Sequence, residues 1–230
     1  VEEKSGGSDA LGKKEEEVTR GSATLEEKAR KLYDFVVKEI VTVPIAPSEN
    51  GYELNPVSAL LEEHAASGWD RSLLYYALLR AAGIKAAWVL VASEDRDPPA
   101  PELPLLGQFD RAAVRVELEA GKPVFVYPGQ PTHPWGLLPD RVEGGYYQLL
   151  EGEKPAPRPL PSLAGKENGS SETASFSLDD QGTLAGTVRT VYRGTQAADM
   201  RSLKYRQPDD LRQYLQEWFA GEVHSRLELL

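Results

Sequence analysis

The sequence predicts an α+β fold in which helices pack on an antiparallel sheet, followed by a small β-rich domain. Three observations predict it. Apolar residues recur at helical spacing after Thr24 and again after Ser67, then gather in short strand-like runs at 86–91, 113–118 and 124–127. A proline- and glycine-rich stretch, Pro155–Gly169, sets that part apart from the rest. Beyond it, Ala174–Leu178 and Thr183–Tyr192 read as strands joined by the turn Asp179-Asp180-Gln181-Gly182. The expected division is a flexible segment at 1–21, a core at 22–154, a linker at 155–171, and a β-rich domain with a C-terminal helix at 172–230, its truncation left open.

Along the chain, Lys13-Lys14-Glu15-Glu16-Glu17 reads as a solvated segment or frayed helix. Thr24-Leu25-Glu26-Glu27 fits a capping box, and Ala29, Leu32, Tyr33, Val36 and Ile40 mark a helix face turned to a core. Val41–Gly51 reads as an irregular connection. Asn55-Pro56 reads as the cap and first residue of a short helix carrying Leu60 and Leu61. Ser67 caps the next helix, whose stripe is Leu73, Leu74, Ala77, Leu78 and Ala81, and Gly83 stops it.

Ala86–Val91 follows as a buried central strand. Asp95–Gly107, rich in proline and acid, is a surface loop, and its part Asp97–Pro104 reads as an exposed strip open to docking. Val114, Val116 and Leu118 alternate inward against Arg115 and Glu117, and Ala120-Gly121 turns the chain into Val124–Tyr127. A long loop with His133, Pro134 and Trp135 precedes a strand at Gly145–Leu150. Helical stretches are expected near Ala197–Leu203 and Pro208–Phe219. No internal repeat is apparent.

Composition narrows the function classes. At 230 residues and 40% hydrophobic content the chain can bury a core. Its net charge of −10 argues against non-specific nucleic-acid binding, which needs basic patches to displace counterions. Zero cysteines exclude disulfides, thiolate metal sites and a cysteine nucleophile. No apolar run reaches the roughly 18 residues of a membrane span. The chain opens on Val1 without a visible signal peptide, and is expected to be a processed or excised piece of a longer product. His64, His133 and His224 lack metal-ligand spacing, so neither a metal nor a cofactor is expected.

The segment Ala66-Ser67-Gly68-Trp69-Asp70, followed by Leu73-Leu74 and Ala77-Leu78-Leu79-Arg80-Ala81-Ala82-Gly83-Ile84, together with the element order over Leu25–Leu150, resembles the bacterial transglutaminase-like superfamily. That resemblance implies a papain-like core. The part after the linker, with Asp180-Gln181-Gly182-Thr183-Leu184-Ala185-Gly186, resembles the small β-rich domain that trails such cores in exported bacterial proteins. Active members open the central helix on a phrase of the type Gly-Asp-Cys-x-Asp and use a Cys-His-Asp triad. Here the cysteine position falls on Gly68, the histidine position on Arg111 and the acid position on Tyr127, the last two to within one residue. Glycine has no attacking atom, arginine stays protonated near neutral pH, and tyrosine is a poor orienting anion.

The resemblance therefore implies no catalytic residue. It leaves Trp69, Asp70, Asp110, Arg111 and Trp135 as candidate binding residues of the emptied cleft, with packing of Trp135 as a loop anchor and of Trp69 into the vacated space as the favoured alternative, and with Arg111 pairing Asp110 or Asp70. The expected function is a non-catalytic binding or scaffolding module of a larger bacterial protein, periplasmic or otherwise exported as the resemblance implies, with an unidentified protein or peptide partner. Two alternatives stay open. One is a hydrolase or acyl-transfer enzyme built on other residues, such as Ser67 near His64 and Asp70. The other is a structural spacer.

Overall fold

A computed structural model describes residues 1–6, 9–103, 105–118, 122–150 and 156–222. The chain divides into two compact units, Val1–Leu163 and Ala164–Leu230. The expected turn at Ala120-Gly121 and the residue His224 lie outside the described residues.

The first unit begins with α1 (Asp9–Thr19) and α2 (Leu25–Glu39). Residues 1–21, expected as a flexible solvated segment, instead supply a packed helix: Leu11, Glu15 and Thr19 are all buried. The stripe is hidden in the sequence because two of its three members are polar. Burial of Glu15 is tolerated because Thr19 Oγ1 donates to its carboxylate at 2.9 Å and Lys28 Nζ lies 3.7 Å away. The capping box of α2 is present. Thr24 Oγ1 accepts from the Glu27 amide at 3.1 Å, while the Glu27 carboxylate accepts from the Ala23 amide at 2.7 Å, one residue earlier than the standard pattern.

After α2 come β1 (Val41–Thr42), α3 (Val57–Glu63), β2 (Ala65–Ala66) and α4 (Gly68–Ala81). The connection expected to be irregular holds one regular feature, the parallel pairing of β1 with β2. Asn55 is not the cap of α3, which begins after Pro56. Its amide and side chain are drawn to Asp70 instead, because a buried carboxylate takes donors more strongly than a solvated helix end. Helix α4 is wrapped on all sides: every residue from Trp69 to Leu79 is buried, so the expected stripe is a full circumference that ends before the exposed Ala81. Gly83, at φ 71°, stops the helix in the left-handed conformation.

The sheet consists of β3 (Ala86–Ala92), β4 (Arg111–Glu117), β5 (Pro123–Val126), β6 (Tyr146–Leu149) and β7 (Arg158–Pro159). They lie in the order β5-β4-β3-β6-β7, all antiparallel, with β3 central as its apolar run predicts. Ala112, Val114 and Val116 face the helices. Ala113 faces a second cluster with Val89, Val91, Phe125, Tyr127 and Leu138, which the loop after β5 covers. Strand β4 is thus covered on both faces, where simple alternation predicts one open face. The stretch expected as a linker contributes β7 and the buried Leu160 to this unit.

The second unit carries a hairpin of β8 (Gly169–Leu178) and β9 (Leu184–Arg193), then α5 (Gly194–Arg201) and α6 (Pro208–Glu222). Among its described residues it is one hairpin and two helices, in the order the sequence predicts. Asp179 makes the turn by accepting from the amides of Gln181 and Thr183 at 2.9 and 2.8 Å.

Helix α1 tests this account of the first unit. Leu11→Ala is expected to lower unfolding stability by about 2–4 kcal/mol in urea titration. A loss under about 0.5 kcal/mol would show the segment to be solvated after all.

Candidate functional site

The N-terminal turn of α4 is tied down from two directions. Ser67 Oγ accepts from the Asp70 amide at 3.2 Å and donates to the Asp70 carboxylate at 2.9 Å. That carboxylate, 1% exposed, also accepts from the Asn55 amide and the Asn55 side chain, each at 2.9 Å. Three donors and the positive end of the helix offset the cost of burying the charge. From the other side, Ser72 Oγ donates to the Ala112 carbonyl at 2.8 Å and lies 3.1 Å from the Gly68 carbonyl. This fixes the helix start against the first residues of β4.

Those ties bring the three resembling positions together. A Cβ on Gly68 would have Tyr127 Oη 3.8 Å away and nothing else within 4 Å. The backbone at Gly68 does not need glycine, since its φ lies outside the left-handed region. Space for a side chain therefore exists at Gly68. Tyr127 is buried, and its ring lies so close to Gly129 that a Cβ there would sit 2.5 Å from it. Burial pushes the Tyr127 phenol up from its ordinary range, with Arg111 and Arg71 pulling the other way and Asp110 adding to the rise. Arg111 Nε stands 3.7 Å from Asp110, whose carboxylate accepts from the Ser93 amide at 3.0 Å and the Ser93 hydroxyl at 2.7 Å. The expected partner Asp70 is not used by Arg111; it is committed to Ser67 and Asn55.

The two tryptophans do not line this place. Trp69 turns into the core between Tyr52 and Trp88, with ring centroids 5.9 and 5.6 Å away. Trp135 lies on α2 and α4. Its Nε1 donates to Tyr75 Oη at 2.8 Å, and the Arg30 guanidinium sits 4.4 Å over its ring. Of the expected cleft set, only Asp110 and Arg111 border Tyr127, and Asp70 is sequestered behind the helix start. Trp69 and Trp135 serve packing, because large aromatic surface gains more from burial than a loop tip or helix start gains by displaying it.

Ser67 is placed as a helix cap. Its proton goes to Asp70, and the only neighbouring histidine in sequence, His64, is exposed and ends α3 in the left-handed conformation. His133 is buried far along the loop, its carbonyl accepting from Tyr33 Oη at 2.6 Å. Among the described residues no group of three or more His, Cys, Asp or Glu could hold a metal ion. A cavity of about 550 Å³ is lined by Tyr76, Trp88, Leu149 and Val1–Glu3. Tyr76 stands eight residues after Gly68, about 12 Å along the helix axis, so this cavity is separate from the site.

Sequence reading missed Arg71, although an arginine inside an otherwise apolar helix is a visible signal. It is fully buried. Its guanidinium binds Thr42 Oγ1 and donates to the Val36 carbonyl at 3.0 Å, at the C-terminal turn of α2, while Nε finds no acceptor among the described residues. The cation thus caps the negative end of α2 and ties α4 to β1. Burial lowers its pKa to about 10, against the opposing pull of Tyr33 and Tyr127.

Comparison with known proteins gives two matches. Residues 13–122 match the family model described as the transglutaminase-like superfamily. A crystal structure of a candidate protease from Parabacteroides distasonis ATCC 8503 superimposes with TM-score 0.54 and 18% identity, over 70% of this chain and 30% of that one. At that identity the likeness is one of fold. This chain therefore corresponds to less than a third of the neighbour's length. No curated protein matches the chain. Among the described residues no helix is long and apolar enough to cross a membrane.

Three buried phenols set the alkaline limit of the fold. Burial is the main cause that raises Tyr33, Tyr75 and Tyr127 above the ordinary tyrosine range. Their contribution is complete below the unfolded tyrosine value and is lost as pH rises toward the folded values. Arg71 has the opposite sign, since its folded pKa of about 10 is depressed and its release of a proton favours the folded state as pH rises. Three groups outweigh one. Stability is expected to fall above about pH 10, with Tyr33, Tyr75 and Tyr127 ionising only on unfolding in a tyrosinate absorbance titration. Their ionisation before unfolding would contradict the burial.

Proposed function

We propose that the chain, whose residues 13–122 match the transglutaminase-like superfamily model, is a non-catalytic, scaffolding module of a larger exported bacterial protein. The observation that carries the reading is Tyr127 Oη facing Gly68 across 3.8 Å, with room for a Cβ between them. The place of a thiol is held by a hydrogen, and the place of its orienting acid by a neutral phenol. Amide chemistry at such a helix start needs a nucleophile with thiolate character and a base to manage its proton. Gly68 supplies no nucleophile, and Arg111 cannot take a proton near neutral pH.

Scaffolding is favoured over capture of a partner in the old cleft because Trp69 and Trp135, the large side chains that would grip a partner there, are spent on internal packing. Export and membership of a longer bacterial protein rest on the resemblance of the two-part layout and on the length of the bacterial neighbour.

The reading is tested by turnover. The purified chain is expected to show no amine incorporation into glutamine and no peptidase or amidase activity. Gly68→Cys should fold and remain inactive, because Arg111 and Tyr127 persist. Turnover by the unaltered chain that Ser67→Ala abolishes would overturn the reading, as would robust turnover from Gly68→Cys alone.

A further inference from the structure

We propose that the loop between β3 and β4 is a docking surface for a basic amphipathic protein segment, one with an apolar face flanked by lysine or arginine. The proposal does not depend on whether the domain is catalytic. Leu103, Leu105 and Leu106 are 50%, 58% and 45% exposed. Single exposed leucines are ordinary, but three within four positions form a patch that water does not favour.

The described residues of this loop are tied by hydrogen bonds. The Gln108 side chain accepts from the Ala100 amide at 2.6 Å and donates to the Leu103 carbonyl at 2.6 Å, with the Ala100 carbonyl at 3.3 Å. Arg96 donates to the Gly107 carbonyl at 2.9 Å, and Phe109, 5% exposed, anchors the end of the loop in the core. One side chain thus clasps the backbone across eight residues. A loop ordered before binding loses little further entropy when a partner arrives. The clasp holds the leucines outward, although burying them inward would release apolar surface from water.

Charge selects the partner. The segment carries exposed Glu94, Asp95, Asp97 and Glu102 and one cation, Arg96, with Arg141 from outside it 3.7 Å from Asp95, and the whole chain has net charge −10. Arg96 is itself 3.7 Å from Asp110. Exposed leucines within an acidic segment complement a partner that is apolar on one face and cationic at its border. The same acidic segment repels an anionic lipid surface.

The test uses the full chain and a dye-labelled helical peptide of leucine and lysine, read by fluorescence anisotropy, with neutral phosphatidylcholine vesicles in parallel. Binding to the peptide is expected, and Leu103→Ser/Leu105→Ser/Leu106→Ser, which leaves the net charge unchanged, should weaken it at least about tenfold. Gln108→Ala keeps the leucines but cuts the clasp, and should weaken binding several-fold. Glu94→Gln/Asp97→Asn/Glu102→Gln should flatten its salt dependence. All are surface changes, and a thermal melt confirms that each variant folds. Equal binding by the triple-serine variant, or no binding by the unaltered chain, would overturn the proposal. Leucine-dependent capture by the vesicles without capture of the peptide would also overturn it, in favour of a lipid surface.

Discussion

The buried carboxylate of Asp70 is the constraint on which the rest of the first unit depends. It sits at the positive end of α4 with three donors around it, from Ser67 and from both the backbone and side chain of Asn55. A carboxylate buried to this degree persists only when so satisfied, and each bond recruits a different stretch of chain. The segment before α3, the turn before α4 and the helix itself are thereby locked together. Ser72 then passes the restraint to β4 through Ala112. The placement of Gly68 opposite Tyr127 follows from these bonds and not from any contact of glycine itself.

A frame this well fastened explains how a site can keep its shape with different contents. Tyr127 lies between the helix start and Arg111, its ring against Gly129. Arg71, one turn further along α4, is held by the end of α2 and by Thr42. Both groups are engaged in holding elements in place, which suits the reading of a scaffolding module. The same unit exposes Leu103, Leu105 and Leu106, so the surface proposed for a partner lies on the β3–β4 connection and not beside Gly68.

Much of this was legible in the sequence where one residue decides one local structure. Thr24 with Glu27, Ser67 with Asp70, and Gly83 each announce a helix end, and Ala86–Val91 announces the central strand. Legibility failed where a residue's partner is distant. Glu15 and Thr19 look solvated until they satisfy each other inside a stripe with Leu11. Asn55 looks like a cap until Asp70 claims it. Trp69 and Trp135 looked available for binding because their sequence neighbours mark a helix start and a loop; only the packing shows Tyr52, Trp88, Tyr75 and Arg30 around them. The spatial meeting of Gly68, Arg111 and Tyr127 came from a resemblance, since no local spacing links residues so far apart.

The central claim is that these three positions still converge as a catalytic triad would. The direct measurement is the pH profile of thiol alkylation in Gly68→Cys/Arg111→His/Tyr127→Asp, compared with Gly68→Cys alone. The account predicts that the triple variant folds and that its thiol reacts at distinctly lower pH than the single variant's, as an imidazole and a carboxylate stabilise the thiolate. A folded triple variant whose thiol titrates like the single one would contradict the convergence.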